Sequence, residues 1–445
     1  MNSLSARFLI VVMLTTFVNS CAPDVDLYEE LARQEPLALQ IEQVTNLDDL
    51  ILPDYKLDNI PSDPKNPITE EKVILGKMLF HETDIALSPK REEGAKTYSC
   101  ASCHHAKAGF QSGMKQGIGD GGVGFGILGE TRMIAANYEE SELDVQPFRS
   151  PTILNTAYQD VMLWNGQFGA TKSNLGTETE WTSGTPIENN ELGFEGVETQ
   201  AIAGLGEHRL NIVPEMIINS LYKGLFDDAF PDIPIKERYS QLNGALAIAA
   251  FERSVVASQA PFQKWLRGSV NALNENQKKG ALLFFGKGKC YTCHSGPGLN
   301  GMSFHALGMN DLSGDDIHLK PTEKDKLGRG GFTKRPEDAY AFKTPTLYNL
   351  KGLKFLGHGA SFNSINEIVM YKNSGIAEND NVPEENLDPL FKPLGLSENE
   401  VALLSYFIET GLYDDNLQRY VPETLPSGGC FPNADSQSRK DMDCM

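Results

Sequence analysis

Cys100-Ala101-Ser102-Cys103-His104 and Cys290-Tyr291-Thr292-Cys293-His294 each place two thiols three residues apart, with a histidine directly after the second. That arrangement suits covalent attachment of a c-type haem, in which the thiols add to two vinyl groups and the adjacent imidazole reaches the iron. Half a zinc site and a thiol redox pair are the competing uses of Cys-x-x-Cys. Neither needs the trailing histidine, and no second Cys/His pair stands near either motif at zinc spacing. Cys100, Cys103 and Cys290, Cys293 are therefore read as attachment sites for two haem c groups, with His104 and His294 as iron ligands and a sixth position on each iron still to be accounted for.

The other cysteines agree with assembly outside the reducing cytosol. Arg7 precedes a short apolar run, Phe8 to Val18, that ends in Val18-Asn19-Ser20-Cys21. Residues 1–20 are read as an export signal and Cys21 as the lipidated first residue of a bacterial lipoprotein, with an ordinary cleaved signal as the alternative. Cys430 and Cys444 then remain for a disulfide closing a polar tail, 426–445. A length of 445 residues with 40% apolar content can fill two cores. The net charge of −21 argues against nucleic acid as a partner. It suits either a face that attracts a basic electron-donor protein or a merely solvated acidic surface.

The elements that must position these groups read as mostly helical. Residues 21–66 are acidic and proline-punctuated, which suggests a tether and lead-in arm. Thr69 to Phe80 carries a helical apolar face directed to the first motif. Gly109 to Gly129 reads as a glycine-rich loop. Asn243 to Leu266 and Asn274 to Phe285 read as two helices, the second turning at Gly286-Lys287-Gly288-Lys289 into the second motif. Ser313 to Asp338 has the composition of an exposed excursion, and Ser397 to Thr410 that of a closing amphipathic helix. Each half also contains a Pro-Thr-x-x-Asn turn, Pro151 to Asn155 and Pro345 to Asn349, which suggests duplication. The expected architecture is mostly α: two cytochrome c-like haem domains packed together, 67–240 and 241–425, with few short strands.

Several longer segments carry a more specific resemblance. They are Leu75-Gly76-Lys77-Met78-Leu79-Phe80, Ser150 to Asn155, Leu163-Trp164-Asn165-Gly166, Ala250-Phe251-Glu252-Arg253, Phe284 to Cys290, Thr344 to Leu347 and His358-Gly359-Ala360-Ser361-Phe362. In this order, over roughly Leu75 to Tyr413, the chain resembles the bacterial dihaem cytochrome c peroxidases and the dihaem enzymes that mature methylamine dehydrogenase. The resemblance implies peroxide cleavage at the N-terminal haem and electrons entering at the C-terminal haem from a small periplasmic cytochrome or copper protein. It also implies Trp164 as the indole between the haems, and a calcium ion held by Asn155 with the carbonyls of Leu353 and Phe355. Homodimers occur in the family.

Two departures from the family pattern bear on the chemistry. The loop that carries a switching distal histidine in many members reads Gly117-Ile118-Gly119-Asp120-Gly121-Gly122, which leaves the first haem open. Glu207 falls at the position of the catalytic glutamate, with His208 as the second candidate for acid–base work; Glu178, Glu180, Glu188 and Glu191 of the 167–196 insertion are further carboxylates. At the second haem, the position that supplies methionine or tyrosine in relatives falls on Lys372, ranked just above Met370, with Tyr371 adjacent and Met302 and Met309 more distant alternatives. His358 is expected near the second haem; His81, His105, His305 and His318 are expected to be packing or surface residues. These readings favour a dihaem peroxidase reducing hydrogen peroxide to water. The alternative is a dihaem oxidase that uses high-valent iron to oxidise a protein side chain or organic substrate, and a pure electron carrier ranks third.

Overall fold

The computed structural model describes residues 35–54 and 56–444, so the expected signal peptide and Cys21 lie outside the described residues. Its main helices are α1 (Pro36–Glu42), α2 (Glu70–His81), α3 (Gly196–Glu207), α4 (Gln241–Ser254), α5 (Glu275–Phe285), α6 (Ile365–Ser374), α7 (Glu398–Tyr406) and α8 (Ser436–Asp441). Strands among the described residues are confined to two antiparallel pairs, β1 (Gly122–Val123) with β2 (Met133–Ile134) and β3 (Phe304–His305) with β4 (Phe342–Lys343). The mostly helical architecture is as expected.

Helix starts follow side-chain capping. Thr69 Oγ1 accepts from the Lys72 amide, while Asn274 with Gln277 and Ser397 with Glu400 form reciprocal caps on α5 and α7. In the N-terminal half, α2 packs on α4, whose residues from Asn243 to Ser254 are all buried, and α3 packs on the same helix. In the C-terminal half, α5 packs on α7, and α6 packs on α7 from another side.

Three expectations need correction. The helix expected over Asn243 to Leu266 ends at Ser254, and a separate turn starts at Pro261. The intervening backbone is used elsewhere: Val255 O accepts from the Asn155 amide, and the Ala257 amide donates to Asn155 Oδ1. Residues 35–54 and 56–66 are not a tether, because α1 buries Leu37, Ala38 and Ile41 and Lys278 and Trp265 both bond Glu35. The segment from Ser313 to Asp338 is not simply exposed. Ile317, Arg329 and Phe332 are buried, and the Arg329 guanidinium donates to the carbonyls of Asn165, Gly166 and Ser173.

The first and last described segments cross over. The N-terminal arm lies on the C-terminal half, with Gln40 bonded to Phe285 O. The tail, closed by the Cys430–Cys444 disulfide, lies on the N-terminal half, where Ser99 and Ser102 both donate to Pro432 O and Arg132 pairs with Asp435.

The duplication suggested by the Pro-Thr-x-x-Asn turns extends to atomic detail. Thr152 Oγ1 donates to Gly109 O at 2.6 Å and Thr346 Oγ1 to Gly298 O at 2.6 Å, in each half just past the Cys-x-x-Cys-His motif. Asn155 and Asn349 both adopt left-handed backbone, with φ of 62° and 57°, a region asparagine tolerates better than most residues. Asn155 Oδ1 accepts the Ala257 amide at 3.0 Å, and Asn349 Oδ1 accepts that of Asp414 at 3.1 Å. Each turn thereby fastens its motif to the chain that leaves the last helix of its half.

Candidate dihaem site

At the first motif, Cys100 to Ser102 form a short 3-10 turn, with the Ser99 amide donating to Ser102 Oγ at 2.9 Å. Cys100 and Cys103 form no disulfide, and burial raises both thiols well above the usual range. Burial also pushes His104 down to about 4, so its imidazole is neutral at pH 7, the form that can bind a metal. Its Nδ1 faces the carbonyls of Phe110 and Pro151 without reaching hydrogen-bond geometry to either. Loop 117–122 passes against Cys103; a Cβ on Gly117 would lie 2.8 Å from the Cys103 sulfur, so only glycine fits there.

His208 meets this site, and Glu207, the last residue of α3, stands solvent-exposed before it. His208 Nδ1 lies 3.0 Å from both carboxylate oxygens of the nearly buried Asp144, and its charge acts on His104. Burial opposes protonation of His208, but Asp144 outweighs it and the net shift is upward. The Glu207 carboxyl, though exposed, is raised by partial desolvation and by Asp144 against the opposing charge of His208. The corner that holds the pair is tied down at both sides: Tyr98 donates to His208 O at 3.0 Å, and Arg209 donates to Asp120 and to Glu142 O. Asp120, in the loop without histidine, also accepts from Tyr138 at 2.7 Å and from the Lys90 amide at 2.7 Å. Asp144 and Asp120 carried no motif of their own, since their roles come from residues distant in sequence. Glu252 was quoted only as part of a segment. It is buried, one carboxylate oxygen has no partner, and burial raises it to about 8.

The second motif opens on a cavity of about 350 Å³ lined by Cys290, Cys293, His294, Lys372, His358 and Trp164, among others. His294 Nδ1 lies 3.2 Å from Leu299 O and 3.1 Å from Pro345 O, the same pair of positions that faces His104, and burial likewise holds it near 4. Lys372 comes from α6, with its Nζ 5.5 Å above the Phe391 ring. Burial lowers its ammonium to about 8 against the opposing charges of Cys293 and Cys290, with which it lines the same cavity. Met370, one of the expected ligands, is 56% exposed on the same helix. The helical period that turns Lys372 inward turns Met370 out. Tyr371 gives its hydroxyl to Leu307 O, Met309 lines the cavity, and Met302 lines a different pocket beside Asp160.

Trp164 forms part of the cavity wall, donates its indole N–H to Arg149 O at 2.8 Å, and meets His358 edge-on at 6.3 Å between ring centroids. His358 stacks on Phe342 at 3.6 Å. His305, expected as a packing or surface residue, instead joins the second site. Its Nδ1 lies 2.6 Å from Asp388 and its Nε2 2.7 Å from Ser303 Oγ, and it contacts the Cys293 thiol. His105 bonds Leu128 O, His81 is buried against Phe80, Phe251 and Phe431, and His318 pairs with Glu140. Asn155 has its amide oxygen on Ala257 and its nitrogen on Thr346, a structural assignment for the residue expected to bind calcium. Among the described residues no cluster of three His, Cys, Asp or Glu side chains could hold a metal ion, and no helix is long and apolar enough to cross a membrane.

Both motifs fit a covalent haem. Each has two half-buried thiols outside any disulfide and a neutral histidine whose Nδ1 faces a proline carbonyl, and the second adjoins a mainly apolar cavity in which His358 Nε2, 3.5 Å from Asp311, makes no hydrogen bond.

Comparison with known proteins agrees. The methylamine utilization protein MauG of Methylorubrum extorquens is 29% identical over 356 residues, 79% of this chain and 81% of its own. The cytochrome-c peroxidase IdrP1 of a Pseudomonas species is 29% identical over 394 residues, 82% of this chain and 87% of its own. A solved structure of a MauG-like protein associated with microbial copper homeostasis superposes with a TM-score of 0.55 at 23% identity, covering 82% of this chain and 95% of that one, and shares the fold. The family model for di-haem cytochrome c peroxidase matches residues 70–271, which contain the first motif, the Pro151 to Asn155 turn, Trp164 and Glu207. Over that stretch, and in its two attachment motifs, the chain is similar to the di-haem cytochrome c peroxidase family.

Proposed function

We propose that this protein is a periplasmic dihaem peroxidase that reduces hydrogen peroxide to water, taking two electrons and two protons per peroxide. The observation that carries the reading is the difference between the two sites: His208, paired with Asp144 and preceded by Glu207, acts on the first histidine, whereas the Lys372 amine and the His305–Asp388 pair stand at the second. Haem iron supplies the redox chemistry at both sites. Glu207 transfers a proton between the two peroxide oxygens and so favours heterolysis. Donation of its Nδ1 proton to Asp144 fixes the His208 tautomer and leaves Nε2 facing outward as a second proton carrier. The Lys372 amine, partly buried and once neutral, would be a ligand for a haem iron at the second site. Electrons from a small cytochrome or copper protein would enter at the second site and pass Trp164 to the first, in two haem domains of which the first takes in α4, packed on α2 and α3, so that the division falls after Ser254 and not at 240. Anchoring through Cys21, calcium at Asn155 with the Leu353 and Phe355 carbonyls, and dimer formation rest on the resemblance and the leader sequence.

One observation favours the oxidase reading. Lys372 stands where methionine would raise the potential of the second haem, and an amine there lowers it. Mixing hydrogen peroxide with the oxidised and the one-electron-reduced holoprotein tests both. Turnover with a reduced small cytochrome only after prior reduction supports the peroxidase. Immediate reaction of the oxidised form, with oxidising equivalents held on both haems, supports the oxidase.

A further inference from the structure

The two Pro-Thr-x-x-Asn turns are each preceded by a phenylalanine and a cation, Phe148-Arg149-Ser150-Pro151 and Phe342-Lys343-Thr344-Pro345. The two phenylalanine rings meet at 5.9 Å. The Arg149 amide donates to His358 O at 3.0 Å, and the Lys343 amide donates to Trp164 O at 2.8 Å. Trp164 and His358 are themselves equivalent, each two residues into a hairpin closed by the bridges Met162 with Phe168 and Leu356 with Phe362. The wall shared by the two halves is therefore built from one exchanged pair of contacts, with a buried cation at each.

Neither cation has a protein carboxylate bonded to it. Arg149 is 2% exposed and donates only to the Ser112 and Met114 carbonyls and Gln111 Oε1; its Nε has no partner among the described residues. Lys343 is 8% exposed and donates to Gln159 Oε1 and Val161 O. Asp160 acts on Lys343 without bonding to it, and among the described residues no opposing charge acts on Arg149; a buried cation without a bonded counter-charge is unfavourable, so an anion is expected at each. Both side chains line the cavity that begins at Cys290 and Cys293. They stand on the wall around Trp164 and His358, to whose carbonyls their amides are bonded, whereas the cation whose charge acts on the Cys290 thiol is Lys372. A haem held by its vinyl groups at two thiols carries its two propionates on the opposite edge.

We infer that Arg149 and Lys343 are the receptors for the two propionate carboxylates of the haem attached at Cys290 and Cys293, on either side of Trp164. The assignment goes beyond the peroxidase reading and depends only on haem attachment, which pyridine haemochrome content reports separately. Arginine offers a planar fork to a carboxylate and lysine a point charge, so the two are not interchangeable.

The test is spectroelectrochemical titration of both haems in the holoprotein for wild type, Arg149→Gln, Lys343→Gln and Lys343→Arg. With haem content intact, each glutamine variant should lower the midpoint potential of the second haem and make it more pH-dependent, because an unpaired carboxylate favours the oxidised iron and takes up a proton on reduction. Lys343→Arg should stay near wild type, and the first haem should move less. An unmoved second-haem potential in both glutamine variants, or a larger shift at the first haem, overturns the assignment. Should Arg149→Gln not fold, Arg149→Lys keeps the charge and removes the fork. A change in the resonance-Raman propionate bending bands of its second haem is then expected, and unchanged bands overturn the assignment.

Discussion

The two halves of this protein share a scaffold and differ in what the scaffold presents. In both, a proline carbonyl faces the histidine of the motif, a threonine ties the loop after that motif, and an asparagine in left-handed backbone anchors the turn. Around the first motif stand Glu207, His208 and Asp144; around the second stand Lys372, His305 and an apolar cavity. The attachment motif and its turn are therefore what is duplicated, and the titratable side chains that differ between the halves lie outside the repeated segments.

The sharpest way to break this comparison is to remove one attachment site at a time. Cys100→Ala with Cys103→Ala should abolish peroxide turnover and leave one haem; Cys290→Ala with Cys293→Ala should also leave one haem, but with peroxide reactivity at the first site retained. Haemochrome content and stopped-flow spectra check both, and equal behaviour of the two variants would erase the proposed division of labour. Next in size, Glu207→Gln should slow peroxide cleavage by about 10²–10⁴-fold, the range typical of a lost acid–base group. His208→Gln should slow it less, and a reversed order would make His208 the principal proton carrier. Lys372→Met should raise the midpoint potential of the second haem while leaving that of the first nearly unchanged.

Smaller effects test the scaffold itself. Thr152→Val and Thr346→Val should each cost about 1–2 kcal/mol in chemical denaturation, since each leaves a buried carbonyl without its donor. Markedly unequal costs would mean that the two turns are not equivalent supports. Asp144→Asn removes the partner that raises His208. A raised histidine stabilises the fold fully below its ordinary pKa and loses that contribution as pH climbs through the folded value. The variant should therefore be less stable than wild type in mild acid and converge with it at alkaline pH. The raised carboxyl of Glu252 acts with the same sign: its contribution is complete below the ordinary carboxyl range and falls away as pH rises toward about 8. Glu252→Gln should flatten that decline in thermal melts.

Much of this was legible in local sequence. The Cys-x-x-Cys-His motifs need five consecutive residues, and the caps at Thr69, Asn274 and Ser397 act within one turn, so short-range spacing suffices for both. The Pro-Thr-x-x-Asn repeat was visible for the same reason. A helix was expected to continue past Ser254 because nothing local announces that Asn155, about a hundred residues earlier, takes the backbone of 255 and 257.

What the sequence by itself determined is therefore the chemistry that contiguous residues carry: two haem attachment sites, mostly helical segments around them, and a duplicated turn. Only the tertiary structure decided that Lys372 faces the second site while Met370 faces solvent, that Asp144 meets His208, and that Arg149 and Lys343 are buried without carboxylate partners. The reason is physical: burial and charge pairing are properties of neighbours in space, and these neighbours are up to some 200 residues apart along the chain.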